Sequence, residues 1–459
     1  RLHMARCPQP CINTHTLTRR ERSHGNLRRF VGHAISRLLS HGEILTPPTA
    51  NTSPHLHSTD LLVVAKTVPR CQDETMECVH LISRECHSCP LMPTPYDIQL
   101  AQRQKEACEL LATLPQASGM KWLPAAASMP EHYRSKAKFA VGGSAEHPTL
   151  GITGPAPTYE GVDLPHCIAH TEVIASTIEP LKAFIRELHL EPYDIAHRRG
   201  ELKHILVTQG SDDALMIRFV MRSKRDLALL RSKLSLLYSL IPTAQVVTVN
   251  ILPAHAALVE GDEEIVISEQ QTLPMLVGDV ELHLGPRSFS QTNTGVASQL
   301  YRQVASWAQQ SGASSLWDLY CGVGGFALHA ARGGVERVSG VEISPEAIAS
   351  ARCTAEDLGV SDRVHLMAGD AAQWAFAQYA EARPDAIVVN PPRRGIGTEL
   401  AQWINQSNIP TVIYSSCYPK SLVSDLRLMN SYRLTQARLF DMFPHTNHME
   451  CAVLLTKIA

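Results

Sequence analysis

The sequence predicts an α/β protein whose C-terminal part is a doubly wound parallel sheet, preceded by a smaller α/β unit. Three observations carry that expectation. From residue 316 onward, short β-branched runs alternate with helical stretches. A glycine-rich turn joins the first run to its helix, and an acid ends the second run. Alternation of this kind implies parallel strands, because a parallel pair needs a long, usually helical, crossover.

The runs are LWDLY (316–320), RVSGVEI (337–343), RVHLMAG (363–369), DAIVVN (385–390) and TVIYSSC (411–417). YRLTQARLFDMF (432–443) and CAVLLTKI (451–458) then close the chain as a hairpin. Upstream, KHILVTQ (203–209), ALMIRFVMR (214–222), VVTVNIL (246–252) and EIVISEQ (264–270) read as strands, with LALLRSKLSLLYSLI (227–241) as one amphipathic helix. A helix over 95–114 is expected from the spacing of Ile98, Leu100, Ala101, Cys108, Leu111 and Leu114. No internal repeat is found. Residues 1–75 are rich in Arg, His, Pro, Ser and Thr without periodicity, and read as a basic disordered extension. An RNA-binding arm and an Arg-rich transit peptide are the functional alternatives for them. The chain opens on Arg1, and Met76 is the expected start of translation. The resulting plan is 76–94 as a cysteine segment, 95–119 as a helix, 120–280 as a central α/β domain and 281–459 as the doubly wound domain.

The 459 residues are 44% hydrophobic and 19% charged, a soluble globular balance, and no run approaches the ~18 apolar residues of a membrane span. The net charge of −2 is unevenly spread. Residues 1–70 hold 10 Lys and Arg against 3 Asp and Glu, leaving 32 against 41 in the rest. This excludes a uniformly basic nucleic-acid coat but not a local basic surface. Twelve cysteines are too sparse for a disulfide scaffold, and no signal peptide is visible in the first 30 residues. A reducing compartment, the cytoplasm, is therefore expected.

WDLYCGVGGFALHAA places Gly322, Gly324 and Gly325 between a strand and a helix, where glycine lets the backbone turn tightly and approach a ligand. Glu342, 24 residues after Asp318, suits ribose hydroxyls. The pattern is not GxGxxG, which favours a nucleoside without a pyrophosphate, and S-adenosylmethionine fits. The bland alternative is a turn that serves packing alone. NPPRRGIG (390–397) ends a later strand; Arg393 stands where amino-methyltransferases carry an aromatic residue, which argues against an exocyclic amine as target. Cys417 ends an apolar run and is either a small buried hydrophobe or an attacking thiolate. Cys78, Cys86 and Cys89, with Cys167 in VDLPHCIAH, could bind zinc or a [4Fe-4S] cluster, and spacing alone leaves the two near even. YRSKAKF (133–139), AHRRGELKH (196–204) and RFVMRSKR (218–225) could neutralise phosphates or merely be solvated faces.

Taken together, FSQTN (289–293), DLYCGVGGF (318–326), GVEIS (340–344), NPPRRGIG, YSSCYP (414–419) and HTNHMEC (445–451) resemble the RNA uracil-5-methyltransferase family. The resemblance covers residues 76–459. It implies a class I, Rossmann-like methyltransferase domain beside a smaller iron–sulfur-bearing, RNA-binding α/β domain. It implies Cys417 as nucleophile, Glu450 as base, and Gln291, Tyr320, Glu342 and Asn390 as ligands of S-adenosylmethionine. It favours a [4Fe-4S] cluster on Cys78, Cys86, Cys89 and Cys167 over zinc. The N-terminal cysteine segment and Asn390 are most similar to the branch acting on uridine 747 of 23S ribosomal RNA; another 23S or a tRNA uridine, and a non-catalytic iron–sulfur RNA-binding protein, are the alternatives. A base reached at carbons 5 and 6 must be unstacked, so a loop or flipped uridine is expected.

Overall fold

The computed structural model describes residues 76–157 and 159–458, and what was expected of residues 1–75 lies outside them. The runs Ala386–Val389 and Thr411–Ser416 are buried along their whole length, as strands covered on both faces must be. They belong to an eight-stranded sheet whose order is Lys121–Trp122, Tyr432–Phe440, Glu450–Lys457, Thr411–Ser416, Ala386–Val389, Ser315–Leu319, Arg337–Glu342 and Val364–Ala368. The five strands from Thr411–Ser416 to Val364–Ala368 are mutually parallel. Ser315–Leu319 pairs with Arg337–Glu342 on one side and Ala386–Val389 on the other. The winding reverses there, which opens a crevice at the carboxyl ends of these strands.

The two last strands pair antiparallel as the expected hairpin, and the sheet takes both in. Glu450–Lys457 slots between Thr411–Ser416 and Tyr432–Phe440 and is antiparallel to both. An antiparallel strand begins where its parallel neighbours end, so Glu450 starts at the crevice edge. Helices Thr294–Gln310, Gly325–Arg332 and Pro345–Asp357 bury one face of the sheet, together with a two-stranded ribbon, Leu273–Val277 and Val280–Leu284. Gly397–Gln406 and Pro419–Leu426 bury the other face. The outermost strand, Lys121–Trp122, runs parallel to Tyr432–Phe440; Leu123 and Ala126 continue the contact, their amides donating to Ala437 O and Leu439 O, each at 2.8 Å.

A second sheet of seven strands is ordered Gly161–Asp163, Pro148–Thr153, Lys136–Gly143, Leu202–Gln209, Leu215–Met221, Ala244–Ile251 and Glu263–Val266. Only Leu215–Met221 and Ala244–Ile251 pair in parallel. One face packs on Ile178–Glu187 and on two short helices, Leu227–Ser232 and Leu234–Leu240. The sequence reads those two as one helix; the backbone breaks it at Lys233 (φ −111°). No helix among the described residues is long and apolar enough to cross a membrane.

The helix Tyr96–Leu111 forms where expected, and its buried face is Gln99, Arg103, Ala107 and Leu111: of the expected apolar positions Leu111 belongs to it, while Ile98 is exposed. Two of these four are polar because the surface that receives them is polar. Arg103 Nη1 lies 2.9 Å from Asp441 Oδ1, and Tyr96 Oη donates to Asp441 Oδ2 at 2.6 Å. The Gln99 side chain bonds both the ring and the amide of His445. The helix therefore clasps the loop that leads into Glu450. Removing one member of a buried ion pair strands the other charge. R103A should lower unfolding stability by about 3 kcal/mol or more in urea titration, whereas alanine at exposed Lys105 should change it by less than about 0.5 kcal/mol.

Candidate active site

The glycine turn is built by backbone conformations that side chains resist. Gly322 and Gly324 sit at φ 54° and 84°, and Tyr320 at φ 73°. A methyl group at Gly325 would meet Tyr301 at 2.7 Å, whereas one at Gly322 would meet nothing within 4 Å. Gly325 is thus required by packing and Gly322 faces the open crevice. Glu342, at the end of the next strand, accepts from Gly322 N (3.2 Å) and Ser344 N (3.1 Å), which ties the two strand ends together. Asp318 is fully buried; Oδ2 accepts from Ala327 N at 2.9 Å, Oδ1 has no partner among the described residues, and burial pushes its carboxyl up to about 7. Ser290 Oγ and Thr292 Oγ1, on either side of buried Gln291, also lack partners among the described residues. Tyr320 is half-buried, and Asn390 immediately follows Ala386–Val389. An orphaned Asp318 oxygen on the strand that leads into the open glycine turn, and two orphaned hydroxyls flanking Gln291, fit a polar, nucleoside-bearing ligand such as S-adenosylmethionine.

Cys417 directly follows the strand Thr411–Ser416, and Pro419 opens the next helix with Tyr418 as its cap. Because Ser416 pairs with Cys451, the antiparallel register sets Cys417 across from Glu450. Glu450 is buried; burial pushes it up to about 7, against the pull of the Ser415 hydroxyl, which donates to it. The half-buried Cys417 thiol is pushed up by burial and by Glu450, while the Arg393 guanidinium, in hydrogen-bond contact, draws it down. Arg393 also faces His448. Its turn is pinned by Asp425: Ile396 N and Tyr414 Oη both donate to Oδ2, at 2.9 and 2.7 Å, and a methyl group at Gly395 would meet that oxygen at 2.2 Å. Sequence reasoning notes the cation at Arg393 but misses Ser415 and Asp425, whose only signal is polarity within apolar runs.

Cys78 is buried, and Cys86, Cys89 and Cys167 are half-buried. Among the described residues no three or more His, Cys, Asp or Glu side chains are grouped so as to hold a metal ion. The four thiols still feel one another: burial first, then Cys167, Cys86 and Cys78, push Cys89 up to about 12. Four sulfur donors are the chemistry of zinc or iron–sulfur ligation.

Of the basic stretches, RFVMRSKR is not a phosphate stripe. Arg218 is buried and forked onto Glu264 (3.0 and 2.6 Å), Arg222 is held by Glu201, Lys224 by Glu263, and Arg225 by Asp226 and Glu191. In AHRRGELKH, Lys203 donates to Ala254 O (2.7 Å) and covers the Tyr193 ring.

A doubly wound sheet with an antiparallel strand beside its last parallel one, a glycine turn at the switch point and an acid on the next strand defines a Rossmann-like, S-adenosylmethionine-dependent methyltransferase. Residues 262–458 match the family model described as tRNA (Uracil-5-)-methyltransferase. The chain is 41% identical, over 83% of its length and 100% of the relative's, to the 23S rRNA (uracil(747)-C(5))-methyltransferase RlmC of Halothiobacillus neapolitanus. It is 42% identical to the same enzyme of Escherichia coli strain SMS-3-5, over 83% and 100% of the two chains. It belongs to the RNA uracil-5-methyltransferase family. The crystal structure of Pyrococcus abyssi tRNA (uracil-54, C5)-methyltransferase with S-adenosyl-L-homocysteine shares the fold, with TM-score 0.66 and 23% identity over 80% of this chain and 85% of that one.

A carboxyl whose folded value lies above its unfolded one favours folding while protonated and opposes it once ionised. Glu450, moved from 4.5 to about 7, should thus cost stability progressively as pH rises from 4.5 through 7. E450Q should gain on the wild type over that window, by on the order of 3 kcal/mol at pH 8. Paired urea titrations at pH 5 and pH 8 measure it; an equal difference at both would exclude an ionisable Glu450.

Proposed function

We propose that this chain methylates carbon 5 of a uridine in 23S ribosomal RNA, at the position named for its relatives, uridine 747, with the cytoplasm as its compartment. The observation that carries the chemistry is the register that sets Cys417 across from Glu450, with Arg393 on the sulfur. Gln291, Tyr320, Glu342 and Asn390 are the residues to hold S-adenosylmethionine, Glu342 by its ribose hydroxyls. Bound there, S-adenosylmethionine supplies an electrophilic methyl group.

Carbon 5 of uracil is too weak a nucleophile to take that group unaided. Cys417, once deprotonated, adds to carbon 6 as a thiolate whose charge the Arg393 guanidinium stabilises against the upward push of burial and Glu450; the electrons of the 5,6 double bond move onto the ring carbonyl, and the enolate makes carbon 5 nucleophilic. Once carbon 5 carries its methyl group, the Glu450 carboxylate removes the proton left on that carbon. The double bond re-forms and expels the Cys417 thiolate. Burial serves this role: a carboxyl near 7 is a stronger base than an ordinary carboxylate and is about half ionised at neutral pH.

RNA carrying 5-fluorouridine has no removable proton at carbon 5. With S-adenosylmethionine it should trap wild type as a covalent adduct visible on a denaturing gel. C417A should form none and lose methylation by at least about 10³-fold. E450Q should trap even unmodified RNA. Absence of an adduct with wild type would overturn the mechanism. Mapping 5-methyluridine in rRNA and tRNA from cells lacking the gene decides the substrate: a methyl group missing from tRNA and not from 23S rRNA would refute it.

Cys78, Cys86, Cys89 and Cys167 are the proposed ligands of a [4Fe-4S] cluster, with zinc as the alternative; their mutual electrostatic reach supports the set. Methyl transfer needs no electron, so the group would hold the cysteine segment in place. Anaerobically purified protein should be brown, absorbing near ~400 nm, and C89S should lose that band. A colourless protein containing zinc would select the alternative.

A further inference from the structure

Of the basic stretches, YRSKAKF behaves differently from RFVMRSKR. Its strand, Lys136–Gly143, buries Ala137, Phe139 and Val141 in the core of the second sheet and turns Lys136 and Lys138 to the opposite face. Neither ammonium has a hydrogen-bond or ion-pair partner among the described residues. The nearest acids, Glu260 and Glu264, are committed to Arg218 at 2.7 and 2.6 Å. Lys136 instead has cations beside it. Burial, then Arg218 and Lys138, draw its ammonium down to about 8. A half-buried, unpaired cation among other cations is the environment of a missing anion.

The location follows from two sets of contacts. Ser135, the residue before Lys136, donates through both its amide (2.7 Å) and its hydroxyl (2.9 Å) to Thr292 O. Thr292 lies in the FSQTN loop, next to Gln291 and its orphaned neighbours. Across the sheet, the row Lys136, Thr208, Met216, Val246 is set by register, and Met216 and Val246 enter the core formed by the ribbon and the methyltransferase helices. The face that carries Lys136 and Lys138 is therefore the one turned toward the methyltransferase unit, and the lysines leave its active-site loop at regular strand spacing. Arg134, one step earlier on the same alternation, is held by its Nε to Lys136 O (3.1 Å) and has no carboxylate partner among the described residues.

We infer that Lys136 and Lys138 form a phosphate track for the RNA strand beside the target uridine, beginning at the FSQTN loop. Successive side chains on one strand face are separated by about 6.6 Å, close to the phosphate spacing of an extended single strand, so neighbouring lysines can take neighbouring phosphates. Such contacts supply affinity and register on the backbone but no base choice. The track rests on the RNA-methyltransferase reading above, and its test separates the two.

The probe is an RNA hairpin carrying the target uridine, with an unrelated hairpin for comparison, and binding is followed by anisotropy from about 50 to 200 mM KCl. Each of K136Q and K138Q should make the salt dependence shallower by about 0.7–1 unit of log K against log salt. The affinity change across that salt range should shrink about threefold per lysine, equally for both RNAs. K136R and K138R should restore the wild-type slope. R222Q, whose guanidinium is held by Glu201, should leave it unchanged. Retained S-adenosylmethionine binding shows the variants are folded; if K136Q fails that check, K138Q at its exposed position decides alone. A slope that does not change in K138Q overturns the track even if wild type methylates uridine. A wild type whose binding runs through both lysines but which methylates no uridine overturns the functional reading and leaves the track standing.

Discussion

The site depends on one strand pairing. Placing Glu450–Lys457 antiparallel between Thr411–Ser416 and Tyr432–Phe440 brings the start of one strand against the end of another, so a carboxylate and a thiol from distant parts of the chain become neighbours across a ladder. A one-residue slip in that register would turn the side chains of the whole strand to its other face. The burial that makes the strand a good core element also withholds solvent from Glu450, so packing and acid–base character have a common cause.

Around this pairing the loop 441–449 is over-determined. Arg103 and Tyr96 hold Asp441, and Gln99 and Pro130 O hold the His445 ring. Because a carbonyl can only accept, the His445 proton sits on Nε2 and Nδ1 accepts from Gln99. Leu91 N donates to His445 O at 3.0 Å, so the segment that carries Cys86 and Cys89 reaches the same loop. Cysteine segment, helix and carboxylate thus form one mechanical unit, although the chain between them builds another sheet.

Most of the methyltransferase sheet was legible because buried parallel strands are continuous apolar runs bounded by glycine and proline, and the five expected runs match Ser315–Leu319 through Thr411–Ser416 to within a residue or two. What was hidden depended on partners remote in sequence. The buried face of Tyr96–Leu111 carries Gln99 and Arg103, which periodicity assigns to solvent until Asp441 and His445 are seen opposite. RFVMRSKR reads as a basic cluster until Glu201, Glu260 and Glu264 are folded against it. Of the site, Cys417 and the glycine turn stood out from local pattern, and Glu450 through family resemblance. The Arg393 contact with sulfur and the Asp425 pin behind it needed the tertiary fold.

The short edge strand Lys121–Trp122 has a consequence for colloidal behaviour. Tyr432–Phe440 is nine residues long and would otherwise end the larger sheet as an open rim of amides and carbonyls, a template for another chain. Residues 121–126 occupy that rim: Leu123 and Ala126 donate to it, and Ala126 O accepts from Asp441 N at 2.9 Å. A stretch with no part in catalysis thus acts as a selvedge, finishing the sheet so that copies of the enzyme do not zip together along it.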